Sequence, residues 1–334
     1  MRRLSQLSRP FGAALALCAG FASAALGGSA PDTTRSAGPE EFPLTHQTRP
    51  LELAEGERLT YLIKWSGMPA GASTLSVKWK RDFEGAQAYH IESETKTNKL
   101  TGWAYEVDDK VITIIDAKGG FSRLFQMSKS EDRIKQSEHI RFDYENDLAI
   151  YEQRRPGPFP TRSRKLVHID GFMQDPLSCV YYLRTMPLSP GDTLRMPVHT
   201  ARRTWPLTVK VVGREELDIP GFGKLSTLRV EPTMHFPGIF VRKGRIVVWV
   251  EEETRVPVRM NVDIPIGSIT VTLSDAENAP LARADASGAE APKPETSKTG
   301  PDSAETAGTP KPLPQAPKTS PAPEPLEGAK SEAE

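Results

Sequence analysis

The chain has 334 residues with 43 basic and 43 acidic side chains, so it carries no net charge at neutral pH. That balance excludes a whole-molecule positive field of the kind that gathers nucleic acid. Thirty prolines and only two cysteines exclude a disulfide-stapled scaffold and point to sizeable irregular segments.

The first thirty residues have the layout of an export signal. Arg2, Arg3 and Arg9 precede an apolar stretch from Phe11 to Phe21, and Ala22-Ser23-Ala24 supplies the small residues of a cleavage site. The stretch falls well short of the roughly 20 residues a spanning helix needs, so residues 1–24 are assigned to a signal peptide cleaved near Ala24. A lipoprotein signal at Cys18 is disfavoured because Leu17, immediately before it, is large. Cleavage leaves Cys179 as the single cysteine, in an apolar segment, where a buried and inert thiol is expected. The expected product is periplasmic or secreted, with no transmembrane span in the mature chain.

Residues 25–54 read as an irregular linker, and 55–275 as one antiparallel β domain. Leu59, Tyr61, Ile63 and Trp65 alternate with polar residues, as do Leu75, Val77 and Trp79, around a turn at Gly67-Met68-Pro69-Ala70-Gly71. The same alternation recurs at Tyr89-Ile91, Trp103-Tyr105-Val107, Val111–Ile115 and Ile140-Phe142-Tyr144, followed by Ala149–Gln153. Asp175 as cap and Pro176 in the first turn start a short buried helix over about 176–186, closed by Pro187. Strands resume at Leu194–Val198, Leu207–Val211, Leu225–Val230, Ile246–Val250, Val256–Val262 and Ile266–Leu273. This succession, without βαβ units, predicts a mainly β fold, an antiparallel barrel-like or strongly curved sheet. From Ala276 the chain is rich in Pro, Ala, Glu and Lys without aromatic residues. Residues 276–334 are therefore expected to be a disordered tail, unable to offset their ordering entropy by apolar burial.

Several phrases carry a family resemblance: Gly56-Glu57-Arg58-Leu59-Thr60-Tyr61, Gly67-Met68-Pro69-Ala70-Gly71, Asp175-Pro176-Leu177-Ser178, Tyr181-Tyr182-Leu183-Arg184, Leu188-Ser189-Pro190-Gly191-Asp192, Val248-Trp249-Val250 and Arg255-Val256-Pro257-Val258. In this order they resemble an exported bacterial family, the domain of unknown function 3108, over roughly residues 54–273. The resemblance implies a β-barrel-like fold similar to that of some capsule-associated lipoproteins, in the periplasm or on the envelope. It brings no activity, cofactor or catalytic residue.

Catalytic signals are sparse. His46, His90, His139, His168, His199 and His235 stand singly, whereas a zinc site needs three or four ligands; no metal or cofactor is expected. Ser178 lacks a nucleophile elbow and sits in a helix start. Asp108-Asp109 reads as a turn pair, and Glu251-Glu252-Glu253 as a solvated strand end. Two features point to binding. Tyr61, Trp65, Trp79, Trp103 and Trp249, with Trp205, lie in strands, where inward aromatics either fill a barrel or line a cavity for an apolar ligand; a lipid needs several hundred Å³. Arg154, Arg155, Arg162, Arg164 and Lys165 cluster around a proline-broken loop suited to anionic lipid or acidic polysaccharide. The sequence thus favours a non-enzymatic envelope protein that binds a lipid, glycolipid, polysaccharide or envelope partner. The alternative is an envelope polysaccharide- or lipid-modifying enzyme without a recognisable motif. Nucleic acid is not an expected partner, and the oligomeric state is left open.

Overall fold

A computed structural model describes residues 49–98, 106–131, 134–200, 202–234, 245–264, 267–281 and 283–284. The expected signal peptide with Cys18, most of the linker, Trp103 and the tail beyond 284 lie outside the described residues. The chain divides into two compact units at Ala286, and every described residue belongs to the first.

Fourteen strands form one antiparallel sheet. They are β1 (Arg58–Trp65), β2 (Met68–Phe83), β3 (Ala86–Thr97), β4 (Asp108–Asp116), β5 (Ser122–Glu131), β6 (Ile134–Asp143), β7 (Leu148–Arg155) and β8 (Thr161–His168), then, after a helix α1 (Ser178–Leu183), β9 (Thr193–Thr200), β10 (Arg203–Ile219), β11 (Gly223–Met234), β12 (Ile246–Glu251), β13 (Pro257–Asp263) and β14 (Ser268–Glu277). Sequence neighbours pair throughout, and β1 pairs β14, so the order runs from β8 back to β1 and from β14 back to β9. The meander is broken only between β8 and β9, where α1 lies. The sheet is therefore strongly curved but not closed. Its far ends approach each other: the Phe142 ring of β6 meets His199 of β9 edge-on at 5.8 Å, and the Arg202 guanidinium stands 5.8 Å over the Tyr151 ring of β7.

Both sheet edges are protected, as open edges must be if chains are not to add to them. Residue Gln174 runs parallel to β9, its N–H donating to the Pro197 carbonyl and its carbonyl accepting from the His199 N–H. The other edge, β8, carries Arg162, Arg164 and Lys165.

The β1–β2 hairpin is tighter than its sequence suggests. Ser66 and Gly67 take φ of 46° and 85°, both positive as a primed two-residue turn requires, so Met68 to Gly71 belongs to β2 rather than to the turn. Gly67 suits this turn because it has no Cβ penalty at positive φ. The helix is also shorter than the expected 176–186: residues 176–177 and 184–185 are turns. The capping assignment to Asp175 stands, since its Oδ1 accepts the N–H groups of Leu177 and Ser178 at 2.7 and 2.8 Å.

Two apolar clusters form the interior. The larger joins inward residues of β1–β7 and β12–β14 with Ile219 and Phe222 of the β10–β11 turn. It also takes in Leu51, Leu53 and Leu281, which extend the folded body beyond the expected 55–275 at both ends. Leu51 and Leu53 flank Glu52 in too short a run to read as a strand, and Leu281 stands alone between Pro280 and Ala282. The smaller cluster packs Cys179 of α1 and Met186 against β9–β12, including Met196, Val209 and Val230.

Candidate functional site: an apolar cavity at the seam of two clusters

Helix α1 is apolar on nearly every side and must bury more than one face. Its position is fixed from both ends. At the start, Asp175 is fully buried; its Oδ2 accepts the hydroxyls of Ser122 and Thr113 at 2.6 and 2.5 Å. At the end, Arg184 forms a buried two-pronged pair with Glu57, with Nη1–Oε1 2.6 Å and Nη2–Oε2 3.1 Å. The Arg49 guanidinium donates to the Arg184 carbonyl at 2.6 Å. The helix is thus tied to β4, β5 and the start of β1, while its apolar side chains reach toward β9–β13.

Between the helix and that wall, packing is incomplete. An apolar cavity of about 120 Å³ is lined by Cys179, Val180 and Leu183 of α1, by Met196, Leu207, Val209, Val230, Pro232 and Val248 of β9–β12, and by Tyr61, Leu75, Pro257, Met260 and Val271. Residues of both clusters face it, so it sits on the seam between them. Its lining is almost wholly apolar, Arg259 is the one charged residue in it, and the Tyr61 hydroxyl donates to the Pro257 carbonyl at 3.0 Å. Burial raises the Cys179 thiol and keeps it protonated, matching the expected inert cysteine. The lumen of several hundred Å³ that a whole lipid requires is not present in this cavity.

Of the aromatic residues predicted to line a cavity, Tyr61 does so. Trp65 is half-buried at the end of β1, with its indole nitrogen beside Gly267. Trp79 lies on the opposite face from Leu75 and Val77: a bulge at Lys78 pairs Val77 with Ile91 and Trp79 with His90, reversing the alternation. Its ring meets His90 edge-on at 4.9 Å. Trp249 faces away from its inward neighbours Val248 and Val250, and its indole N–H donates to Glu215 Oε2 at 2.7 Å. Trp103 is outside the described residues. The lining residues of α1 and β9–β12 were not singled out by sequence; the helix's all-round apolar pattern was the one signal for them.

The basic cluster is divided between the two faces of the β7–β8 ribbon. Arg154 and Arg162 are directly opposed, as are Glu152 and Arg164, on the outer face. Lys165 opposes Tyr151 on the inner face, and Arg155 Nε donates to Gln136 Oε1 at 3.0 Å.

A second interior feature went unpredicted. Asp109, Lys129, Glu131, Gln136 and Glu138 are buried on the inner rows of β4, β5 and β6. Lys129 pairs with Glu131 at 2.8 Å, and Glu138 Oε1 accepts from Gln136, Tyr151 and Gln153 at 2.8, 3.1 and 3.1 Å. Asp109 is thus a core strand residue, not part of a turn. Burial and the facing Glu131 carboxylate push its pKa up to about 7. Period-two alternation does not say which face is inside, so the sequence carries no sign that these polar residues are buried. Among the described residues no group of three His, Cys, Asp or Glu could hold a metal ion.

A curved, unclosed antiparallel meander, with one short helix packed against it and an apolar cavity beside that helix, defines a barrel-like β protein. The chain belongs to the family described as "Protein of unknown function (DUF3108)", whose model matches residues 60–274. No curated protein matches it. Among solved structures it is similar to a β-barrel-like protein of another family, DUF1849, from Brucella abortus, at 14% identity and a TM-score of 0.45, over 67% of this chain and 98% of that one. It is also similar to an exported-protein candidate with a YmcC-like fold from Bacteroides fragilis, at 12% identity and a TM-score of 0.30, over 70% and 99%. A third likeness is to a lipoprotein candidate from Parabacteroides distasonis, at 10% identity and 0.28, again over 70% and 99%. No helix among the described residues is long and apolar enough to cross a membrane.

Proposed function

We propose that the protein is an exported, non-enzymatic binding module of the bacterial envelope that takes a small apolar group, such as the end of an acyl chain, into the cavity between α1 and β9–β13. The observation that carries this reading is the cavity itself: about 120 Å³, almost entirely apolar, partly open to solvent, at the seam of two apolar clusters. Interiors normally pack to crystal-like density, and dry apolar voids near 150 Å³ take up molecules the size of benzene. The volume therefore suits the terminal carbons of a chain rather than a whole lipid. The export signal at residues 1–24 supports the envelope setting, and envelope lipids and glycolipids are the matching source of such chains.

The test is a fluorescence titration of the full chain with an acyl-chain probe, cis-parinaric acid, beside a Val180→Phe variant that fills the cavity from the helix side. Saturable binding by the unaltered chain, weakened at least tenfold in the variant, is the expected result. Equal affinity of the two chains, or no saturable binding by either, would remove the proposal.

A further inference from the structure

The β7–β8 ribbon ends in the loop Pro156-Gly157-Pro158-Phe159-Pro160. Phe159 is 91% exposed, and Leu166, further along β8, is 59% exposed. On the outer face behind this tip stand three arginines, Arg154, Arg162 and Arg164, with Glu152 reaching Arg162 at 3.5 Å and Arg164 at 3.6 Å. Arg154 and Arg162 are direct cross-strand partners, an arrangement of like charges that weakens a hairpin. Protecting the β8 edge explains charges on β8. It explains neither Arg154, which is on the interior strand β7, nor an exposed phenyl ring at the tip.

The geometry points to a membrane-surface anchor: we infer that the β7–β8 hairpin docks on an anionic lipid leaflet, with Phe159 entering the headgroup region and the arginines engaging lipid phosphates. Each component answers a cost of that docking. The phosphates supply counter-charge that one carboxylate, Glu152, cannot give to three outer-face arginines at once. The phenyl ring leaves water for the acyl boundary. Three of the five tip residues are proline and have no N–H, so fewer backbone donors lose water as the tip enters. A hydrated acidic polysaccharide would use the cations and leave the phenyl ring without a role. The inference does not rest on occupancy of the cavity.

The experiment is co-sedimentation of the full chain with vesicles of equimolar phosphatidylglycerol and phosphatidylcholine, with pure phosphatidylcholine vesicles alongside. It compares the unaltered chain, Phe159→Ser, and Arg154→Gln/Arg162→Gln. The unaltered chain is expected to sediment with the anionic vesicles only. Each variant should lose about tenfold in affinity, from lost apolar burial in one case and lost phosphate attraction in the other. Melting temperatures show that both variants fold, and the double variant should melt at or above the unaltered chain as the opposed charges go. Val180→Phe should sediment unchanged, separating this surface from the cavity. Equal sedimentation of all chains overturns the inference. So does tighter binding of polygalacturonate than of anionic vesicles with no dependence on Phe159.

Discussion

His199 and Asp109 are buried groups whose protonation works against each other. Burial lowers His199 from 6.5 to about 4; its Nδ1 lies 3.0 Å from the Thr204 hydroxyl, while Nε2 has no partner. The folded state therefore resists protonating it, and stability is lost as pH falls from 6.5 toward 4, where the unfolded chain takes up the proton first. Asp109 shifts the other way, from 3.8 up to about 7. Its folded state holds the proton longer than the unfolded one, so stability is lost as pH rises from 3.8 through about 7. Across its window the His199 shift is worth about 3 kcal/mol and the Asp109 shift about 4 kcal/mol, and the two slopes oppose each other between about pH 4 and 6.5. The unaltered chain should show a shallow profile there in chemical denaturation. His199→Asn should lose stability with rising pH, and Asp109→Asn should gain it. Parallel profiles for all three would contradict these assignments. Neither behaviour was legible in sequence, where His199 is one of six isolated histidines and Asp109 half of an apparent turn.

At the scale of elements, Asp175 holds the break in the meander together. It caps α1 with one oxygen and collects hydroxyls from β4 and β5 with the other, while neighbouring Gln174 covers the β9 edge and accepts the Ser178 hydroxyl at 2.7 Å. Removing the carboxylate leaves several buried donors unpaired. Asp175→Ala is expected to cost about 3 to 5 kcal/mol in denaturant unfolding. Asp175→Asn keeps one capping oxygen and should cost about half as much. Equal, small losses in both would show that the hub contributes little. The cap was readable from Asp-Pro before an apolar run; its second role was not, because Thr113 and Ser122 are more than fifty residues away. Strand alternation predicted most of the sheet for the same local reason. It failed where one inserted residue, Lys78, turned Trp79 to the other face, and where a two-residue turn with positive φ at Ser66 was read as a longer loop.

For the whole molecule, the outcome that matters is a sheet that nearly encloses its core without closing. Barrel-like curvature was legible from many short strands without βαβ units. The open seam, the packing of the helix against the interior and the inner polar cluster depend on which face turns inward, and local pattern does not specify that. The curvature brings two clusters together without filling the space between them, and the binding function is assigned to that residual space. The most direct measurement is native mass spectrometry of the full chain, purified from its own cells without detergent, beside Val180→Phe prepared in parallel. The account predicts an added mass of an acyl-bearing molecule on the unaltered chain that is released by solvent extraction and absent from the variant. A bare polypeptide mass for both chains, unchanged after incubation with fatty acid, would contradict it.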